Sequence, residues 1–213
     1  MSDQNRKGAY GQEADPKGRT ETYLEEIEGI LKRMDRKKID DAIGIIHNAW
    51  ERDGQVFLIG NGGSASTATH FACDLNKWVS DNADRKFRAF SLVDNIPLMS
   101  ALTNDNGWSD VYYEQLRGFF REGDVVIAIS VHGGSGQDKA GLWSQNLLKA
   151  VKFAQENGGK VVGLAGFDGG LLNEVADACV VVPANSTPQV EGLHLVITHL
   201  ICEQLRNKIS RPV

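Results

Sequence analysis

The sequence has little cysteine and no long apolar run, and both absences exclude classes of protein. Its three cysteines, Cys73, Cys179 and Cys202, form no CxxC pair and lie among apolar neighbours. We therefore expect three small buried hydrophobic residues in a protein of the reducing cytoplasm. No apolar run approaches the roughly 20 residues that a membrane span needs, and the first residues are too polar for a signal peptide.

Positive charge is also scarce and scattered. The formal net charge is −5 and no basic cluster occurs, which argues against nucleic acid or an anionic membrane as a partner. The 213 residues suit one domain with a substantial core. Residues 1–20 have almost nothing to bury and are predicted to be a disordered tail, so the domain is predicted to span residues 21–213.

The most informative stretch has the sequence QVFLIGNGGSASTATHFACDLNKW. Residues 56–59 are an apolar run of strand length, and residues 60–64 form a glycine-rich turn that a helix follows, with Ser64 or Ser66 as its expected cap. A strand, a turn and a helix N-terminus direct backbone N–H groups at one spot, which suits a phosphate or a carboxylate. The dinucleotide and Walker fingerprints do not fit, and a turn made for packing alone remains the alternative.

The rest of the chain alternates strands with helices. Two amphipathic helices are predicted within residues 21–53, and further buried strands are predicted at residues 87–93, 125–130, 160–165 and 178–182. A second Gly/Ser turn at residues 131–136 precedes a helix predicted at residues 138–155. This order predicts an α/β fold, a doubly wound parallel five-stranded sheet with helices on both faces and ligands at the carboxyl ends of the strands.

Two of the predicted helices each carry a histidine and a carboxylate. His70 and Asp74 stand four residues apart on one face, and the final helix offers Glu191 and His199. Four N and O ligands suit Zn²⁺ or another divalent ion. The alternative is a set of hydrogen-bonded histidines in a helix–helix contact, and the sequence alone does not show whether the two helices meet. A third histidine, His47, is predicted to be structural.

A series of motifs, in order, resembles the sugar isomerase (SIS) domain family over residues 21–207. These motifs are GNGGS followed by HFA, the TNDNG segment, GDVVIAIS before a Gly/Ser loop, GFDGG, and a final helix with two histidines. Within the family the sequence is most similar to the phosphoheptose isomerases. The resemblance implies a flavodoxin-like fold and a homotetramer with active sites at subunit interfaces.

The resemblance also implies an activity. It is that of a phosphosugar aldose–ketose isomerase, which interconverts sedoheptulose 7-phosphate and glycero-manno-heptose 7-phosphate by metal-assisted proton transfer through an enediol. Asp74 and His199 correspond to its catalytic positions, and the metal positions are His70, Asp74, Glu191 and His199. The substrate-binding positions that it implies are Asn61, Ser64, Asp105, Ser130 and Ser135, and we expect Gly62, Gly63 and His132 of the two turns to bind substrate as well.

Several residues depart from the family pattern around the ligand. Asp74 replaces a glutamate, Glu191 replaces a glutamine, and Val131 and His132 replace a Thr-Ser pair, while Pro188 begins a dipeptide that is usually Asp-Arg. These departures leave open an isomerase of another phosphosugar. A further alternative is a non-catalytic SIS protein that binds a replication-initiator-type partner or senses a sugar phosphate.

Overall fold

The computed structural model describes residues 18–134 and 144–210, which form five strands and eight α-helices. The strands are β1 (Gln55–Gly60), β2 (Arg88–Ser91), β3 (Val125–Ser130), β4 (Lys160–Gly166) and β5 (Ala178–Val182). The helices are α1 (Arg19–Arg33), α2 (Arg36–Glu51), α3 (Gly63–Asp74), α4 (Ile96–Asp105), α5 (Val111–Phe119), α6 (Gln145–Glu156), α7 (Gly170–Val175) and α8 (Thr187–Ile209). A π-helical turn, Leu75–Val79, continues α3, and a 3₁₀ turn, Trp108–Asp110, precedes α5.

The strands form one parallel sheet in the order β2-β1-β3-β4-β5. Two of the three inner strands, β1 and β3, are buried along their whole length. Parallel strands covered on both faces are uninterrupted apolar runs, and this is the pattern of VFLI and VVIAI in the sequence. The predicted fold class, an α/β five-stranded parallel sheet with helices, is confirmed.

Helices cover both faces of this sheet. On one face, alternate residues of the strands, such as Phe57 and Val126, pack with the apolar sides of α5 and α6 into one buried cluster. On the other face, α2, α3 and α8 contact the strands. The turns that leave the carboxyl ends of β1 and β3 lie side by side, because these strands are neighbours in the sheet.

The free edge of β2 is covered by a side chain. The Asn76 amide donates to the carbonyl oxygen of Ala89 at 2.7 Å and accepts from the Ala89 N–H at 3.0 Å. The π-helical turn that continues α3 brings Asn76 to this edge. Asn76 therefore makes the two hydrogen bonds that a neighbouring strand would make with this residue.

The chain divides into two compact units at Arg33 and Met34. Helix α1 belongs to the first unit, and every other element belongs to the second. Among the described residues, no helix combines the length and the apolar character that crossing a membrane requires.

Some local predictions were wrong. Neither Ser64 nor Ser66 caps α3, because the cap position is Gly62 and no side chain bonds there. Cys73 is exposed, since it lies on the outer side of α3, while Cys179 and Cys202 are buried as expected. The described part of the helix predicted at residues 138–155 is α6.

Candidate active site

The first component of the site is the turn that joins β1 to α3. Gly62 has a φ of 58°, a conformation that residues with side chains rarely adopt. Gly60 is needed for a different reason, because a Cβ atom there would overlap the backbone of Ser64. The N–H groups of Ser64 and Ala65 bond back to Asn61 and Gly62. Because the N-terminus of a helix favours negative charge, the start of α3 is compatible with the anion site that the sequence predicts, and this site stays a prediction.

The side chain of Asn61 is engaged inside the protein. It exchanges two hydrogen bonds with Asn146 of α6, at 2.9 and 3.1 Å, and its nitrogen lies 3.4 Å from the Ser144 hydroxyl. The Tyr112 hydroxyl donates to the carbonyl oxygen of Gly60 at 2.5 Å and lies 3.3 Å from the Asn61 side-chain oxygen. Burial raises the pKa of Tyr112, so its hydroxyl keeps its proton.

The second turn follows β3, and it needs glycine for a different reason. A Cβ atom on Gly133, whose φ is 62°, would overlap the carbonyl oxygen of Gly169 in the turn after β4. The Ser130 hydroxyl accepts a hydrogen bond from the Gly134 N–H at 3.1 Å. The His132 ring packs against Phe167, with 4.3 Å between their centroids. In this turn, close packing of two backbones requires glycine.

Three predicted ligands come together where α3 meets α8. The Nε2 atoms of His70 and His199 lie 3.2 Å apart, and one carboxylate oxygen of Asp74 lies 3.4 Å from each of them. His70 and Asp74 are one helical turn apart on α3, and the packing of α8 on α3 brings His199 to them. Both histidine side chains are 47% exposed and that of Asp74 is 17% exposed.

The spacing of these three atoms fits a zinc-type ion. Two ligands about 2.0–2.1 Å from a tetrahedral centre lie about 3.3–3.4 Å from each other. The observed separations of 3.2, 3.4 and 3.4 Å are those of one face of such a tetrahedron. Among the residues that the structure describes, these three form the one group of His, Cys, Asp and Glu side chains close enough to hold a metal.

Glu191 lies outside this group and beside the first turn. Its carboxylate occupies the space that a Cβ atom on Gly63 would need, so it packs on the start of α3. A side chain at position 63 would therefore displace the end of the Glu191 side chain. The placement brings the glycine turn and the N-terminal half of α8 into direct contact.

A surface cavity of about 570 Å³ adjoins one of the three ligands, His70. It is lined by Ala65, Ser66, Thr69, His70, Cys73 and Val93. Asp105, at the end of α4, is exposed and accepts a hydrogen bond from the Asn104 amide at 2.7 Å. Ser64 is buried within the first turn of α3, and Ser135 lies outside the described residues.

Sequence reasoning missed Tyr112 and Asn146, which hold the first turn from α5 and α6. Tyr112 appeared to be an ordinary apolar residue of an amphipathic helix, and a lone asparagine near a helix start carries no motif. No signal in the sequence marks Asn146, because its complete burial, which makes partners necessary, follows from the packed fold.

The chain resembles proteins of known family. The sequence matches the SIS domain family over residues 22–166. The lincomycin biosynthesis protein LmbN of Streptomyces lincolnensis is 37% identical over 193 residues, covering 85% of this chain and 69% of that protein. Phosphoheptose isomerase of Rhodospirillum rubrum is 34% identical over 165 residues, covering 77% of this chain and 82% of that protein.

A solved structure gives the same result. Phosphoheptose isomerase GmhA from Neisseria gonorrhoeae superposes with a TM-score of 0.78 at 26% identity, covering 90% of this chain and 98% of that one. The resemblance to the phosphoheptose isomerases predicted from the sequence motifs is therefore confirmed.

Proposed function

Because the chain belongs to the SIS domain family, we propose that it is a phosphosugar aldose–ketose isomerase. Its proposed reaction interconverts sedoheptulose 7-phosphate and glycero-manno-heptose 7-phosphate. The names of its relatives support this substrate, since several are phosphoheptose isomerases. The proposed enzyme is cytoplasmic, in keeping with three free cysteines.

The observation that carries the proposal is the group formed by His70, Asp74 and His199. Isomerisation moves a proton between adjacent carbons, which calls for a base that reaches the substrate and an acid that serves its oxygens. A carboxylate 3.4 Å from two imidazole nitrogens, one of which belongs to a histidine that lines a cavity, supplies both. Asp74 takes the proton from carbon, and His199 moves protons at the oxygens.

The three ligand atoms are proposed to hold Zn²⁺ or a similar divalent ion, without Glu191, whose carboxylate packs on Gly63. When bound, the ion polarises the sugar carbonyl and stabilises the negative charge of the enediolate. The turns after β1 and β3 bind the phosphate, with Ser130 and His132 in the second. Binding the phosphate at a distance positions the reacting carbons.

The proposed assembly is a homotetramer with active sites at subunit interfaces. Both histidines of the group are half-exposed, and Val196 and Leu200 on the outer face of α8 are 51% and 39% exposed. Apolar residues exposed beside a catalytic group support coverage by a second subunit, because an enediol intermediate needs protection from water.

Another phosphosugar is the second candidate substrate. The relative with 37% identity is named for lincomycin biosynthesis and not for heptose isomerisation. The His132 ring, packed on Phe167, replaces a small hydroxyl residue of the family's second turn. An imidazole takes more space there and, when protonated, pairs with an anion, so both the size and the charge of the phosphate subsite change.

The experiment measures the metal content of purified, chelator-free protein and the isomerisation of sedoheptulose 7-phosphate before and after chelation. We expect about one Zn²⁺ per subunit, by analogy with three-ligand catalytic zinc sites, and loss of turnover on chelation. The His70→Gln variant should lose the metal, while the His47→Gln variant, altered on α2 outside the group, should keep it.

Three outcomes separate the candidate functions. Bound metal without turnover of this sugar retains the site and rejects the heptose, and a panel of phosphosugars then identifies the substrate. Turnover that survives complete chelation rejects the metal. Protein with neither metal nor turnover contradicts the isomerase and favours a sugar-phosphate sensor or a partner-binding protein.

A further inference from the structure

The strongest unassigned feature is the buried amide pair of Asn61 and Asn146. The Asn146 nitrogen donates to the Asn61 side-chain oxygen at 2.9 Å, and the Asn61 nitrogen donates to the Asn146 oxygen at 3.1 Å. Asn146 is completely buried. A reciprocal pair accepts one relative orientation of the two amides, because a flip of either one brings nitrogen against nitrogen.

The pair joins two parts of the fold that are remote in sequence. Asn61 lies in the turn between β1 and α3, and Asn146 lies in the first turn of α6. The Asn146 oxygen also accepts from the Leu147 N–H at 3.0 Å, so the amide is fixed at its own helix. The Tyr112 hydroxyl holds the carbonyl oxygen of Gly60, one residue before Asn61.

The hydrogen-bonding capacity of Asn61 is used within the protein. Its oxygen accepts from Asn146 and faces the Tyr112 hydroxyl, and its nitrogen faces the Asn146 oxygen and the Ser144 hydroxyl. The groups of this turn that remain for an anion are backbone N–H groups at the start of α3, near Gly62 and Gly63, where the Glu191 carboxylate also lies.

We infer that Asn146 is a positioning residue for phosphosugar binding, which acts by fixing Asn61 and with it the shape of the turn at residues 60–64. The inference rests on the proposed function, because it takes a phosphate as the ligand of this turn. Without the pair, the backbone N–H groups lose their common direction. Binding then weakens, while the proton-transfer group on α3 and α8 is unaffected.

The test compares Asn146→Ala with two controls. Gln115→Leu removes another buried amide, whose nitrogen donates to the carbonyl oxygens of Leu92 and Val111. This variant controls for the loss of stability. Asn157→Ala removes an asparagine at the other end of α6 that bonds the Phe153 carbonyl oxygen. The measurements are KM and kcat for the phosphosugar, the Kd of inorganic phosphate by calorimetry, and thermal unfolding.

For Asn146→Ala, losing the two hydrogen bonds to Asn61 should raise both KM and the phosphate Kd on the order of tenfold, with kcat changed by less than about twofold. Both controls should keep the wild-type KM and phosphate Kd, although Gln115→Leu should lower the unfolding temperature. If Asn146→Ala does not fold, Tyr112→Phe tests the same turn through loss of the hydroxyl on Gly60, with a smaller rise of both constants in the same direction.

An Asn146→Ala protein that is destabilised like Gln115→Leu but keeps both constants overturns the inference, and the proposed isomerase stands. A wild-type protein that turns over no phosphosugar but binds inorganic phosphate, with weaker binding in Asn146→Ala, rejects the isomerase and supports the positioning role. A wild-type protein with neither turnover nor phosphate binding rejects both.

Discussion

Two histidines of α8, five residues apart, have opposite surroundings. His194 is 1% exposed, and its Nε2 atom is 3.0 Å from the carbonyl oxygen of Ala165 at the end of β4. Its Nδ1 atom has no hydrogen-bond partner among the residues that the structure describes. The side chain of His199, in contrast, is 47% exposed and faces His70 and Asp74.

The difference shows that environment, and not residue type, decides what a histidine does. Burial lowers the pKa of His194 to about 4, so its ring stays neutral and donates to a backbone carbonyl as part of the core. His199 is open to solvent and beside a carboxylate, so its ring is able to bind a metal or exchange a proton. The sequence presented both as polar exceptions in an apolar helix.

The largest expected effect concerns Asp74, the carboxylate beside the exposed His199. Asp74→Asn removes the proposed base and leaves a side chain of the same size, so turnover should fall by about 10²–10⁴-fold while phosphosugar binding survives. The measurement is steady-state kinetics together with calorimetric binding of the substrate.

Asp81→Asn is the matched control, because Asp81 is an exposed aspartate beyond the π-helical turn and touches neither histidine. Its turnover should equal that of the wild type. An Asp74→Asn protein with undiminished turnover would remove Asp74 from the chemistry.

The second prediction concerns the buried histidine, His194, and the dependence of stability on pH. Below pH 6.5 the unfolded chain protonates His194 and the folded protein does not until about pH 4, so stability falls as pH decreases through this interval. The loss attributable to His194 should be about 2 kcal/mol between pH 7 and pH 5.

Denaturant unfolding at both pH values measures this loss. His194→Gln keeps a side chain able to donate to Ala165 but has no group that titrates, so the variant should lose less stability on acidification than the wild type. His199→Gln is the control and should retain the wild-type dependence on pH attributed to His194. An equal loss in His194→Gln and the wild type would contradict the assignment.

Much of the fold was predictable because it depends on local patterns. The apolar runs at residues 56–59 and 125–130 have strand length, and alternation with helices leaves a parallel sheet as the arrangement that buries them. The cap of α3 was not predictable, because Ser64 and Ser66 have the right chemistry and the wrong position. Only the backbone conformation at Gly62 decides where the helix begins.

The site was predictable in part for the same reason. His70 and Asp74 lie on one face because they are four residues apart on a helix. The position of His199 beside them depends on how α8 packs on α3. No spacing in the sequence encodes that contact. The pairing of Asn61 with Asn146 crosses 85 residues and likewise depends on the packed fold.

The smallest expected effect concerns a third histidine, His47. The side chain of His47 is 21% exposed and its Nδ1 atom is 3.7 Å from a Glu51 oxygen, and its ring stacks on Trp50. His47→Gln should change the free energy of unfolding by less than about 1 kcal/mol, since a partly exposed pair contributes little. Turnover should equal the wild type, and a large loss of activity would contradict the structural role.

The Asn76 side chain at the edge of β2 has a consequence for how copies of this protein meet. An open strand edge is a template on which another chain adds a strand and begins ordered aggregation. At Ala89 both edge positions are already taken by one amide. A concentrated solution of the folded protein is thereby protected against growth of the sheet at this edge, and Asn76→Ala should shorten the lag before fibrils form.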